Sequence, residues 1–169
     1  MCIRDSYALG RSRAFSFQPE KAEPELKRAI ELNPSYAHAY HGLAHLYMMT
    51  PGGDAEVSGR MMNEAIRLSP RDPLLWVFEH MKGATLMSLD QNDEASEWME
   101  KATRHPNAGF WAFSGLAACQ AALGDKLKAK ESLAKALEIN SNLSQAFLED
   151  TYPGALLEYK INLKTAGLQ

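Results

Sequence analysis

Three histidines, His38, His41 and His45, follow one another at spacings of three and four, which puts them on one stripe of a helix. Two imidazoles a turn apart are a zinc-binding pair, and a third could complete the site. A hydrolytic zinc site of the His-Glu-x-x-His kind needs glutamate directly after the first histidine of the His41/His45 pair. Gly42 stands there, so that chemistry is excluded and only a metal-binding sensor or another metal enzyme remains as an alternative. The same stripe, extended by Met48, is better read as a partner-binding surface, because imidazoles donate and accept hydrogen bonds and thioethers adapt their shape. A solvated surface without a partner is the plain reading. A proton-sensitive patch is a further one, since histidine ordinarily titrates near neutrality.

No other constellation on the chain points to catalysis. Glu94, Glu97 and Glu100 form a solvated helix face with no base or nucleophile at a useful spacing. Neither a phosphate-cradling glycine loop nor a nucleophile elbow occurs. Cys2 and Cys119 are the only cysteines, and Cys119 falls in an apolar helical run where inert packing is expected. The chain is therefore read as a non-enzyme without cofactor or bound metal. Its 169 residues carry a net charge of −3 with acids and bases interspersed, which argues against nucleic acid as a partner. No apolar run approaches the roughly 18 residues of a membrane helix, and no signal-peptide pattern opens the chain, so a cytoplasmic protein is expected. Met1–Ser6 runs into a helical pattern without a start signal, from which a piece of a longer protein is expected.

The histidine stripe lies on the first helix of a hairpin that runs from Ala37 to Pro70. A Pro51-Gly52-Gly53-Asp54 turn divides it and Ser69-Pro70 stops it. Such a hairpin cannot bury its apolar face alone, and the chain repeats it. Ala22/Leu26/Ala29, Ser58/Met62/Ala65, Ala95/Met99/Ala102 and Ala129/Leu133/Ala136 occupy equivalent positions of four second helices, 34 to 37 residues apart. The matching first helices place a small residue at the helix crossing: Gly10, Ala44, Gly83 and Ala117. Asp90 stands in a turn where glycine would be easier, and Gly124-Asp125 combines a left-handed helix end with a cap for the next helix. Glu79 and Lys82 break the third repeat's pattern, with Trp76 one turn earlier to fill the space.

Tyr40, Leu43, Ala44, Tyr47, Ala65 and Pro70, with Ala22, Leu26, Ala29 and Pro34, resemble the tetratricopeptide repeat in order and period. The resemblance covers residues 3–140. It implies an all-α, right-handed α-solenoid of about four hairpins, at 3–36, 37–72, 73–106 and 107–140, with capping helices over 141–169 that close the last hydrophobic face. In that family the first helices line a concave groove that binds peptides. Carried onto this chain, the groove takes Tyr7, Arg11, His38, His41, His45, Met48, His80, Met87, Trp111 and Ser114. A peptide, a partner helix or a second copy is the implied ligand. The Lys, Asn and Arg set with which chaperone-binding members clamp a C-terminal carboxylate is missing, since only Arg11 falls on the stripe. Asp72-Pro73-Leu74-Leu75-Trp76 and the final Lys164-Thr165-Ala166-Gly167-Leu168 are similar to the C-terminal repeat region of bacterial class III adenylate/guanylate cyclases and of winged-helix regulators. That similarity implies the regulatory end of a larger signalling protein.

Overall fold

In the computed structural model, which describes residues 2–153 and 156–169, every regular element is a helix. The chain divides into two compact units, Met1–Asp72 and Pro73–Gln169.

The first unit holds α1 (Ile3–Phe15), α2 (Pro19–Leu32), α3 (Ala37–Met49) and α4 (Ala55–Leu68). Successive helices pack as hairpins, α1 on α2 and α3 on α4, and α3 also lies against both α1 and α2. Pro19 opens α2 at its first turn, where the missing N–H costs nothing. Asp54 opens α4 by accepting a hydrogen bond from the Val57 N–H at 2.9 Å. The small residues that set the period are all fully buried: Ala22, Ala29, Ala44 and Ala65. Leu26 is their large counterpart. A Cβ added at Gly10 would lie 2.8 Å from Leu26 Cγ, and one added at Gly42 would lie 2.8 Å from Leu26 Cδ2. Both glycines exist because α1 and α3 close on one leucine.

The second unit holds α5 (Leu75–Met87), α6 (Asn92–Thr103), α7 (Phe110–Ala122), α8 (Lys126–Ile139), α9 (Gln145–Thr151) and α10 (Leu157–Ala166). The pairs α5–α6 and α7–α8 form hairpins, and α6 packs on α7. Phe78, Met99 and Cys119 are fully buried between them. Asp90 adopts φ +58° and Gly124 φ +83°, the left-handed turns expected of both. Glu79, out of place in the repeat pattern, is buried and meets His105 Nε2 at 2.8 Å. Trp76 fills the neighbouring space by lying on Gly109, where a Cβ would come 2.8 Å from its ring.

The C-terminal segment departs from a simple cap. α10 packs mainly along α7, less on α8, and reaches α5. Its end is a glycine-closed turn: Gly167 has φ +115° and the Leu168 N–H reaches the Leu163 carbonyl at 2.9 Å. Lys160, itself buried, ties α10 to α9 through Glu149 Oε2 and the Tyr152 carbonyl, both at 2.6 Å. Gly154, where the sequence pattern breaks, and Ala155, where it resumes at helical spacing, lie outside the described residues.

Candidate functional site

The stripe predicted on the first helices divides by unit, and the two parts meet different fates. In the second unit the chain covers it. Ser114 is fully buried and shares a 2.7 Å hydrogen bond with the Tyr159 hydroxyl of α10. His80 is buried, with the Tyr159 and Trp111 rings each centred 6.4 Å from its own. Met87 is buried, and the Asn162 amide sits 3.8 Å from its sulfur. Trp111 stacks with Tyr152 at 5.7 Å and Phe147 at 6.1 Å. The expectation that His80, Met87, Trp111 and Ser114 line an open groove is thus corrected. α9 and α10 carry apolar side chains of their own, and burying them on this row removes more apolar area from water than leaving both surfaces wet.

Burial also shapes the chemistry there. The Tyr159 phenol is pushed above its ordinary range, chiefly by burial, with its bond to Ser114 opposing. Burial pushes the Cys119 thiol up to about 12, so it stays a protonated, inert packing group. Tyr159→Phe removes a buried hydroxyl–hydroxyl bond between α10 and α7. It is expected to cost about 1 kcal/mol, or somewhat more for the stranded Ser114 hydroxyl. Urea unfolding followed by tryptophan emission measures this, because Trp76, Trp98 and Trp111 all lie in the second unit.

In the first unit part of the stripe, Tyr7, Arg11 and His38, stays at the surface. Tyr7 and Arg11 stand one turn apart on α1, and Phe15 one turn further, half exposed. The Arg11 guanidinium lies 5.8 Å from the centre of the Tyr7 ring and 4.9 Å from that of Phe15. It also donates to the Tyr7 hydroxyl at 3.2 Å. Tyr36 meets Tyr7 edge-on at 5.3 Å, and His38 lies against both rings at about 6 Å. Burial pushes the Tyr36 phenol up, helped by Tyr7 and opposed by nearby Arg4. Behind this row His41 and His45 are buried with ring centres 6.3 Å apart, and Phe15 covers His45 at 5.1 Å. Met48 is buried as well. These three back the surface rather than form it, which corrects their predicted place as open groove residues. Gly42 permits the close approach: a Cβ there would meet Tyr7 at 3.4 Å and Arg11 Cδ at 3.6 Å.

The metal alternative does not fit this geometry. His38 turns to Asp72, Nε2 to Oδ2 at 3.2 Å, with the Ser69 hydroxyl donating to the same oxygen at 3.0 Å. Among the described residues no three histidine, cysteine or acidic side chains gather as a metal site. Phe15, Tyr36 and Arg4 were missed by sequence reasoning. Arg4, Tyr7, Arg11 and Phe15 share one helical stripe, and that spacing was the signal available.

Among the described residues, no helix is long and apolar enough to cross a membrane. Comparisons with known proteins place this geometry. The sequence has no significant match among curated proteins. Residues 80–104 and 113–143 match the tetratricopeptide repeat family. The fold is similar to that of YrrB, described as a TPR protein with an unusual peptide-binding site, with TM-score 0.64 and 22% identity over 96% of this chain and 79% of that one. It is also similar to Pseudomonas aeruginosa PilF, with TM-score 0.73 and 22% identity over 99% of this chain and 78% of that one. The fold is therefore of the tetratricopeptide-repeat type, and two of its repeats are recognisable as such by sequence.

Proposed function

We propose that this chain is a non-catalytic protein-interaction module that receives a peptide or a partner helix on the first-helix row of its Met1–Asp72 unit. The observation that carries this reading is the row itself. Tyr7, Arg11, Tyr36 and His38, each part-exposed, and the half-exposed Phe15 form a continuous, largely aromatic surface, while the equivalent row of the second unit is covered by α9 and α10. Aromatic side chains with polar tips are the residues from which binding hot spots are most often built. His41, His45 and Met48 hold the row from behind. The peptide-binding site named for YrrB supports the same use of the fold.

The context is that of the C-terminal regulatory part of a larger bacterial signalling protein of the cyclase or winged-helix kind, acting in the cytoplasm. Its support is the tail Lys164-Thr165-Ala166-Gly167-Leu168 and the Asp72–Trp76 segment, and reading the coding DNA upstream of residue 1 tests it. Binding is tested by selecting dodecapeptides from a random displayed library and measuring their affinity by fluorescence anisotropy. Tyr7→Ala is expected to weaken selected peptides by about tenfold or more, the size of a hot-spot loss. Trp98→Ala, on a second helix of the other unit, is expected to leave them unchanged. Peptides indifferent to Tyr7 would overturn the proposal.

A further inference from the structure

The first unit's aromatic row carries a charge that its own acids do not answer. Arg11 is held in place by two rings and by the Tyr7 hydroxyl, yet among the described residues no carboxylate pairs with it. Arg4 stands on the same stripe, exposed, beside Tyr36. The imidazoles of His38, His41 and His45 add further nitrogen-bearing rings on α3. Asp72, the carboxylate that meets His38, has a buried side chain engaged by His38 and Ser69. Elsewhere on the unit Arg13 pairs with Glu25 at 3.0 Å, Arg28 with Glu31 at 3.2 Å, and Arg67 with Glu64, whereas Arg11 is the arginine held between aromatic rings. The local excess of positive charge also runs against the chain's net −3.

A stacked guanidinium has lost most of its rotational freedom before any ligand arrives. Its planar fork keeps donors for a carboxylate, and stacking on rings leaves that edge available. The rings on either side offer apolar contact to whatever side chain neighbours the acid.

We propose that the partner is an acidic peptide segment. An internal aspartate or glutamate side chain pairs with Arg11, and an adjoining aromatic or aliphatic side chain lies on Tyr7 and Phe15. This rests on the docking row proposed above and specifies what it takes. The acid is a side chain within the segment and not a chain terminus, because only Arg11 and Arg4 are at hand and neither sits in a closed pocket.

The test takes dodecapeptides selected against the full chain and resynthesises each with a C-terminal amide. Each acid is then replaced singly by Asn or Gln, and each amide peptide is compared with its free-acid form. We expect selected peptides to carry net negative charge, to lose about tenfold in affinity when one particular acid becomes an amide, and to be indifferent to C-terminal amidation. Arg11→Gln should weaken the acidic parent by the same factor and no longer distinguish it from the amide version. This non-additivity is the mark of a direct pair. Arg11→Lys should recover only part, since lysine lacks the planar fork. Because the peptide-side replacements leave the protein untouched, a destabilised Arg11 variant does not blur the result. Peptides that need Tyr7 but are neutral or basic would overturn this inference and leave the docking row standing. Peptides that ignore both Tyr7 and Arg11 would overturn the docking row itself. A preference of more than tenfold for phosphoserine over glutamate at the paired position, or a need for a free C-terminus, would also overturn it.

Discussion

Leu26→Ala is expected to be the most damaging single truncation in the Met1–Asp72 unit, and Gly42→Ala is expected to repair part of it. Leu26 is fully buried and packs with Ala22, Leu43 and Leu46, with Tyr7, Ala14, Ile30, Tyr47 and Met61 at the edge of the cluster. Truncating such a leucine removes its transfer free energy and leaves a cavity, about 3–4 kcal/mol together. The two glycines sharpen the prediction. In the native protein a methyl at Gly42 would come 2.8 Å from Leu26 Cδ2, so Gly42→Ala alone should destabilise by overpacking despite alanine's better helix propensity. Once Leu26 is an alanine that clash is gone. The remaining neighbours, Tyr7 at 3.4 Å and Arg11 Cδ at 3.6 Å, are tight to ordinary contacts. In that background Gly42→Ala should stabilise by about 1 kcal/mol, from propensity and from filled space. A change of sign between the two backgrounds is the expected result of the double-mutant cycle. The unit has no tryptophan, so amide hydrogen exchange over α1–α4 is the suitable measurement. Additive effects would mean that α1 and α3 do not close on Leu26.

How much of this was readable beforehand follows from what each feature depends on. The buried alanines at 22, 29, 65, 95, 102, 129 and 136 were readable because a close helix crossing tolerates only small side chains, and the crossing recurs with the repeat. The left-handed turns at Asp90 and Gly124 were readable because few residues accept that backbone conformation. The fate of α10 was not. Its Tyr159, Leu163 and Ala166 are buried while Leu157 and Ile161 are exposed, so apolar residues surround the helix and no single face announces its partner. Helical periodicity ranks faces by polarity and says nothing about which neighbour buries them. The histidine stripe is not favoured as a metal site for a related reason. Spacing put three imidazoles on one face, but His38 is drawn to Asp72, whose position depends on where the second helix of the hairpin ends. The Arg11 stack, by contrast, follows from spacing within α1 alone and could have been found from the sequence.

His80 is expected to make the Pro73–Gln169 unit acid-labile over a defined interval. It sits under Trp111 and Tyr159, and a Cβ at Gly115 would come 2.9 Å from its Nδ1, which has no hydrogen-bond partner among the described residues. Burial without a counter-charge pulls its pKa down from 6.5 to about 4. The sign follows from linkage. Above pH 6.5 the imidazole is neutral in both the folded and unfolded chain, and pH has no leverage through it. Between 6.5 and 4 the unfolded chain takes up the proton and the folded one refuses it, so stability falls as pH falls. Below about 4 both states are protonated and the loss is complete. Each tenfold rise in proton concentration across that interval costs roughly 1.4 kcal/mol, so the whole of it is worth about 3 kcal/mol, a large share of a small unit's stability. Carboxylates that are held ionised also lose stability in acid, so the informative quantity is a difference between proteins. His80→Gln, uncharged at every pH, should flatten the dependence of unfolding free energy between pH 7 and 4.5 relative to the native chain, whatever it does to stability at pH 7. Urea titrations followed by tryptophan emission provide the comparison, and Trp111 beside the imidazole makes the signal local. Equal slopes in the two proteins, or an imidazole proton resonance titrating near 6.5, would show that His80 is not sealed beneath α10.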